Sequence, residues 1–186
     1  GEGDNPSRYL VRPDYPGRDT APPQVLRGDP AMTRALVDSI ERRWKFTSGV
    51  LSWHPDDKVS EEQEEEVMDA FEQVAFAGLE ADQRNILWVR HTHAGHHELH
   101  FLIPRLELSS GKDFNAWPPG WQKDFDVFRD LFNWREGWAR PDDPARARDE
   151  LPKKADLFKA RMARWGKEIR ESDRDRAKEV IHAFLK

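Results

Sequence analysis

A histidine-rich stretch constrains the fold of this chain more than any other segment. Five of its seven histidines lie between His91 and His100, and apolar runs flank them at residues 86–89 and 101–103. Gly95, between the histidines, is a residue typical of tight turns. The pattern predicts two buried strands joined by a short turn, with the histidines around the turn and along the second strand.

Alternation along the second strand sorts its side chains onto two faces. Residues two apart share a face, so Glu98 and His100 point one way while Leu99 and Phe101 point to the apolar side. His91 ends the partner strand, close enough across the hairpin to join Glu98 and His100. A carboxylate and two imidazoles from paired strands predict a three-ligand site for a divalent metal, with open positions.

Residue types limit the chemistry of such a site. The chain has no cysteine, which excludes disulfides, thiolate zinc sites, cysteine nucleophiles and the zinc deaminases. The HHELH segment at residues 96–100 is not the helical H-E-x-x-H motif of zinc proteases. Because a carboxylate is among the donors, magnesium or manganese is as reasonable as zinc. The alternative is a solvated turn without a ligand role, which five histidines beside Glu98 disfavour.

Length and composition predict a folded domain with a substantial core. The 186 residues include 8 Trp and 10 Phe, although 35% of the residues are charged. The net charge of -5 speaks mildly against a nucleic-acid partner, but it conceals a strongly acidic stretch at residues 56–82. No apolar run approaches the roughly 18 residues of a membrane span, and no signal peptide is visible. We therefore expect a bacterial cytoplasmic protein without membrane insertion.

Capping residues and apolar spacing predict an alternating order of helices and strands. Asp29 and Ser60 are expected to cap two helices, the latter through a capping box with Gln63. The predicted elements are helices from residue 6 and over residues 30–43, 60–78 and 121–138, an extended piece at 24–27, and a strand at 47–53. In that strand Val50 and Leu51 are expected to be buried, and the glutamates of helix 60–78 to face solvent. The order predicts an α+β domain whose central, mostly antiparallel sheet carries helices packed on it.

Three segments of the chain resemble the plasmid-mobilisation relaxases, most closely the colicin-plasmid subgroup, within the HUH-type endonucleases. They are RYL at residues 8–10, TSGVLSW at 47–53 and ILWVRHTHAGHHELHFLIPRLELSSGK at 86–112, of which the last is the specific one. The resemblance implies a palm-like relaxase catalytic domain, which we assign to residues 1–139. A charged linker and two helical segments would form a C-terminal extension over residues 140–186.

The resemblance also implies an activity and the residues that perform it. Relaxases nick one strand at a plasmid or integrative-element origin of transfer, form a 5′-phosphotyrosine link with the help of a divalent metal, and rejoin the strand after conjugative transfer. The family's nucleophile lies in a Y-L segment, which matches Tyr9 better than Tyr15 in its proline-rich loop. Its metal ligands, at relative positions zero, seven and nine, match His91, Glu98 and His100.

The chain departs from the family pattern at two positions of the third motif. The third ligand is usually asparagine, and His100 stands there instead, which favours softer metals. Mn²⁺ or Mg²⁺ is the expected ion, with Zn²⁺ or Ni²⁺ able to replace it in vitro. The family commonly has an aspartate two residues after the first ligand, where this chain has His93. Either His93 or a carboxylate elsewhere is expected to orient a ligand or accept the tyrosine proton.

The resemblance to relaxases implies binding partners, and the sequence offers candidate contact residues for the DNA among them. Single-stranded origin DNA, relaxosome accessory proteins and a coupling protein are expected. The candidate DNA contacts are Thr47, Ser48, Arg90, Arg105 and Lys112, with Trp117, Trp121 and Trp134 as stacking candidates that fit core packing equally well. Two alternatives stay open: a replication-initiator or transposase-type HUH nuclease, and a non-catalytic metal- and DNA-binding module. The family's short strand before the glycine-rich N-terminus is missing from this sequence, so we expect a smaller or altered sheet.

Overall fold

A computed structural model of the protein describes residues 6–140, 142 and 143. Its helices are α1 (Pro6–Val11), α2 (Pro30–Ser39), α3 (Glu61–Ala75) and α4 (Gln122–Glu136), and its strands are β1 (Gln24–Arg27), β2 (Phe46–Ser52), β3 (Leu87–His91) and β4 (Glu98–Pro104), with a 3-10 turn at Ala81–Gln83. The strands form one sheet in the order β1-β3-β4-β2, and every neighbouring pair is antiparallel. The predicted α+β fold and its order of helices and strands are confirmed.

The histidine-rich hairpin occupies the centre of the sheet. Leu87 pairs with Leu102 at its far end and His91 with Glu98 next to the turn. Gly95, in the turn, has a φ of 81°, a conformation that favours glycine because it has no Cβ. The predicted pair of strands joined by a short turn is confirmed.

Helices cover the sheet on two sides. On one side, which we call the α1–α2 face, Leu10 and Val37 pack on Leu87, Val89 and Leu102. On the other, the α3–α4 face, helices α3 and α4 pack on the large side chains of β3 and β4. The buried residues of that cluster include Val67, Met68, Phe71, Trp88, Leu99, Phe101, Ile103 and Phe132. The alternation of the hairpin therefore separates a large aromatic core from a smaller aliphatic one.

Three helices end earlier than the sequence predicts, among them α4, which stops at Glu136 instead of residue 138. Helix α2 stops at Ser39 instead of residue 43, because Ile40 turns to an extended conformation with a ψ of 118° and its side chain is buried. Helix α3 begins after the predicted capping box of Ser60 and Gln63 but ends at Ala75, three residues before Gly78.

Two burial predictions are wrong. Val50 is 46% exposed, because β2 is an edge strand and helices α1 and α2 lie mainly over β4. Leu51, on the α3–α4 face, is half-buried. Glu64 of α3 is buried, in contrast to the other glutamates at the start of the helix, because it pairs with Arg90 from β3. Burial on these surfaces depends on the neighbouring elements, which local periodicity does not specify.

The chain divides into two compact units, Gly1–Pro141 and Asp142–Lys186. The predicted helical segments at 153–170 and 172–186 lie outside the described residues, as does most of the linker. The predicted boundary at residue 139 therefore stays a prediction, as does the altered N-terminal strand. Among the described residues, no helix has the length and hydropathy needed to cross a membrane.

Candidate active site

Three potential metal ligands meet at the turn end of the hairpin. His91 ends β3, Glu98 begins β4 opposite it, and His100 follows on the same face. One donor atom from each side chain lies within 4.8 Å of the other two. The rings of His91 and His100 are 4.3 Å apart between centroids. The hairpin register thus brings together the predicted trio, whose role as ligands stays a prediction.

Helix α1 holds the His91 ring in one tautomer. The Nε2 atom donates to the Leu10 carbonyl at 2.8 Å, since a carbonyl only accepts. The Nδ1 atom therefore carries the lone pair, which lies 3.3 Å from a guanidinium nitrogen of Arg18. Burial lowers the pKa of His91 to about 4, so the ring is neutral at physiological pH. A neutral imidazole whose other N–H is bound to a carbonyl is the usual state of a metal-ligating histidine.

The carboxylate of the trio is held between two imidazoles. His96 lies 2.9 Å from one oxygen of Glu98, and His100 lies 3.1 Å from the other. Burial raises the pKa of Glu98, but the hydrogen bonds and charges of His100 and His96 outweigh it and lower the pKa overall. An ionised carboxylate beside two imidazoles is a donor set that fits Mn²⁺, Mg²⁺ or Zn²⁺.

Both tyrosines lie near the trio. Tyr9 precedes Leu10 on α1, and its ring meets the edge of the Tyr15 ring at 5.6 Å. Tyr15 in turn packs edge-on against His93 at 5.7 Å, and His93 against His91 at 5.4 Å. Burial, followed by a hydrogen bond to Tyr15, raises the pKa of Tyr9 despite nearby arginines. The phenol of Tyr9 is therefore protonated at neutral pH, and a nucleophilic role requires a base.

The sequence did not reveal Arg18, which joins the tyrosines to the trio. It is 1% exposed, and it donates to the carbonyls of Tyr9 at 2.8 Å and Arg12 at 3.0 Å. Its guanidinium also lies 5.0 Å from the centre of the Tyr9 ring and 4.9 Å from that of Tyr15. No ion pair within residues 6–140 joins Arg18 to a carboxylate. A loop arginine among prolines has no periodicity that could have predicted its burial.

The remaining histidines of the cluster have separate surroundings. The ring of His93 lies between Tyr15 and His91, and its Nδ1 atom is buried without a hydrogen-bond partner. His97 turns to the α3–α4 face, where it pairs with Glu64 and packs edge-on against Trp53. His93 therefore belongs to the site by position, and His97 does not.

The candidate DNA contacts are dispersed. Ser48 is exposed and shares the α1–α2 face with the trio, whereas Thr47 is largely buried on the α3–α4 face. Arg90 points to the latter face and donates to Glu64 at 2.8 Å. Arg105, past the end of β4, donates to Asp113 at 2.9 Å, and Lys112 is exposed in the loop that follows. Contact of these five residues with DNA stays a prediction.

The three tryptophans that are candidates for base stacking differ in their exposure and packing. The rings of Trp117 and Trp121 stack on each other at 5.0 Å, and Trp117 also meets the edge of Phe101. Trp134, on α4, is 79% exposed. Trp117 thus fits the core-packing alternative, whereas Trp134 presents an open ring on the far side of the sheet.

Comparison with known proteins places the chain among plasmid proteins. The family model "Relaxase: MobA/VirD2-like, nuclease domain" matches residues 31–133, which include the trio but not Tyr9. Cryptic plasmid protein C of Neisseria gonorrhoeae is 39% identical over 158 residues, which cover 84% of this chain and 75% of that protein. DNA relaxase MbeA of Escherichia coli is 35% identical over 158 residues, covering 82% of this chain but only 30% of MbeA. No solved structure matches the chain significantly.

Proposed function

The chain belongs to the MobA/VirD2-like relaxases, through their nuclease domain, and from this premise we propose that it nicks one DNA strand at an origin of transfer with Tyr9 as nucleophile. The observation that carries the assignment of Tyr9 is the contact between α1 and β3. The carbonyl of Leu10, the residue after Tyr9, accepts the hydrogen bond of His91. The helix that bears the tyrosine is thereby fixed to the first ligand of the trio.

His91, Glu98 and His100 would hold the divalent ion of this nuclease. When bound, the ion supplies positive charge and Lewis acidity to the phosphoryl oxygens of the substrate. The carboxylate of Glu98 suits Mn²⁺ or Mg²⁺, and the second imidazole extends the range to Zn²⁺ or Ni²⁺ in vitro. His96, hydrogen-bonded to Glu98, would orient the carboxylate without being a ligand.

The transfer step exchanges one phosphodiester for another. The phenol oxygen of Tyr9 attacks the phosphorus, an oxygen–phosphorus bond forms, and the bond to the 3′ oxygen breaks. The 5′-phosphate stays on Tyr9, and the departing 3′ oxygen takes a proton to become a free hydroxyl. Because the phosphotyrosine retains a phosphodiester, attack by a 3′-hydroxyl reverses the step and rejoins the strand.

We propose His93, in preference to a carboxylate elsewhere, as the group that accepts the proton that Tyr9 loses. The His93 ring lies edge-on against the Tyr15 ring, which in turn meets the Tyr9 ring, and the Nδ1 atom of His93 has no hydrogen-bond partner among the described residues. The aspartate common in the family at this position is thus replaced by another proton acceptor. Arg18 would stabilise the negative charge that develops on the phenol oxygen and the phosphate, since no carboxylate in the described part of the chain neutralises its guanidinium.

The remaining assignments follow from the family. The substrate would be single-stranded or extruded origin DNA, and Thr47, Ser48, Arg90, Arg105 and Lys112 remain candidate contacts. Relaxosome accessory proteins and a coupling protein would be its partners in the bacterial cytoplasm. Residues 1–139 would form the catalytic domain and residues 140–186 a helical extension. A replication initiator would use the same chemistry, but the relaxase family match favours transfer.

A covalent-adduct assay tests this proposal. The protein is incubated with manganese and labelled single-stranded oligonucleotides tiled across the DNA that flanks its gene, and adducts are resolved on denaturing gels. We expect one oligonucleotide to yield an adduct that Tyr9→Phe abolishes and Tyr15→Phe retains. An adduct lost only in Tyr15→Phe would show that the nucleophile is Tyr15. Cleavage unaffected by either substitution would refute the tyrosine mechanism, and no adduct with any oligonucleotide would favour a non-catalytic module.

A further inference from the structure

The edge strand β2 leaves an uncovered strip beside the trio. Its residues Ser48, Val50 and Ser52 are exposed on the α1–α2 face. Val50 pairs with His100 and Ser52 with Glu98, so the strip begins at the trio itself. No acidic residue occurs in β2 (Phe46–Ser52). We call this strip the β2 track.

A basic segment with an open tryptophan lies at the other end of the β2 track. Trp44, two residues before the strand, is 63% exposed, and the Arg43 guanidinium lies 5.2 Å from the centre of its ring. Within residues 6–140, no ion pair or side-chain hydrogen bond engages Arg43 or Lys45. Arg42, by contrast, is tied to Asp113 and the Arg105 carbonyl. Arg43 is exposed and available to a ligand. Lys45 is half-buried and turned by alternation to the other face, so it reaches a ligand only around the open edge of β2.

The β2 track joins this segment to the trio in a nearly straight line. The Lys45 carbonyl accepts from the Arg105 N–H at 2.9 Å, so antiparallel pairing continues one residue before the strand. Val50 lies six positions after Trp44, which is about 20 Å of extended chain. A few nucleotides of single-stranded DNA span such a distance.

We propose that single-stranded DNA runs from the trio along the β2 track and stacks a base on Trp44, with Arg43 and Lys45 binding phosphates. This proposal rests on the proposed nuclease function and adds a second contact surface to it. An open aromatic ring flanked by unpaired cations is the combination by which proteins bind single strands without regard to sequence. The absence of acids from β2 favours a polyanion, and the track is continuous with the site that must receive the scissile phosphate.

Fluorescence anisotropy with labelled oligo(dT) of 20 nucleotides tests the proposal on the full chain. We expect Trp44→Ala to weaken binding about 10-fold, because stacking contributes at this level, and Trp44→Phe to restore most of the affinity. Trp134→Ala is the matched control, since that tryptophan is even more exposed but lies on α4, on the other side of the sheet. In the double variant Arg43→Ala/Lys45→Ala, the slope of log binding constant against log salt concentration should become shallower by about 0.7 for each lost phosphate contact.

Several outcomes would overturn the proposal. Affinity of Trp44→Ala within two-fold of the unsubstituted protein, or equal losses in Trp44→Ala and Trp134→Ala, would remove the β2 track as a DNA surface. Self-association lost in Trp44→Ala with DNA affinity intact would assign the surface to a second copy of the chain. Manganese binding, measured on every variant, reports whether the trio is intact. If the protein forms the covalent adduct and Trp44→Ala does not change its DNA affinity, the proposed nuclease function stands and only the β2 track is refuted as a DNA surface.

Discussion

The two faces of the sheet bury charge in opposite ways. On the α3–α4 face, Glu64 is 2% exposed and pairs with both Arg90 and His97. On the α1–α2 face, Arg18 is 1% exposed and contacts carbonyls, aromatic rings and His91, with no carboxylate partner among the described residues. One face holds a neutralised cluster and the other an uncompensated cation.

The difference separates a structural use of charge from a functional one. Burying an unpaired charge costs several kcal/mol, and a fold retains it where another molecule supplies the counter-charge. The phosphate of a DNA strand is that counter-charge in our proposal, and Arg18 lies between the proposed nucleophile and the first ligand. The Glu64 cluster needs no ligand, because its charges already neutralise one another.

The largest effect on stability should come from breaking the neutralised cluster of Glu64, Arg90 and His97. In Glu64→Gln, the Arg90 guanidinium loses its closer and buried carboxylate partner and keeps only the exposed Glu61 at 3.6 Å, so the free energy of unfolding should fall by about 3 kcal/mol. Urea denaturation measures this loss. Manganese affinity of the folded fraction should not change, because Glu64 lies on the face opposite the trio. A variant as stable as the unsubstituted protein would show that the pair with Arg90 contributes little.

Substitution of the trio should weaken metal binding, which is measured on the folded fraction of each variant. We expect His91→Ala and His100→Ala each to weaken manganese binding about 100-fold, or about 2.7 kcal/mol, in calorimetric titrations. His96→Ala should have a smaller effect, since His96 touches only Glu98 of the trio. His97→Ala is the control from the other face and should leave the affinity unchanged. Equal losses at all four positions would refute the ligand assignment.

Removal of the uncompensated cation, Arg18, should have the smallest effect on stability and on metal binding. Arg18→Gln deletes a buried charge that has no carboxylate partner among the described residues, but it also removes the hydrogen bonds to the Tyr9 and Arg12 carbonyls. Because these two effects on stability are opposite in sign, the free energy of unfolding should change by less than about 1 kcal/mol. Manganese binding should become a few-fold tighter, because a cation 3.3 Å from the His91 lone pair is gone. Weaker manganese binding in this variant would mean that Arg18 organises the site by its hydrogen bonds and not by its charge.

The hairpin was predictable because its information is local. Alternation placed Glu98 and His100 on one face, and the single turn at Gly95 fixed the register that brings His91 opposite Glu98. The N-cap residues Asp29 and Ser60 likewise gave the starts of α2 and α3, since a cap is a contact within a few residues. The order of helices and strands follows from signals of this kind.

What the sequence did not reveal depends on contacts between distant segments. Val50 has the composition of a buried strand residue, but its exposure follows from the position of β2 at the edge of the sheet. The proline-rich loop has no period, so neither the burial of Arg18 nor the approach of Tyr15 to His93 could be inferred. Arg18 and Tyr15, whose positions the sequence did not indicate, are the residues that complete the candidate site around the predicted trio and Tyr9.

Single-turnover cleavage by Arg18→Gln and Arg90→Gln tests the contrast between the two faces most directly. Both variants lose a guanidinium from the same sheet, and each is assayed with the oligonucleotide that forms the Tyr9 adduct, with rates corrected for the folded fraction. We expect Arg18→Gln to slow cleavage about 100-fold, as is typical when one donor to a developing negative charge is removed. At saturating oligonucleotide, Arg90→Gln should cleave within about two-fold of the unsubstituted rate, because the Arg90 charge is paired with Glu64 and the loss of a DNA contact would change only the affinity. Equal rates for the two variants would contradict the assignment of the uncompensated charge to catalysis.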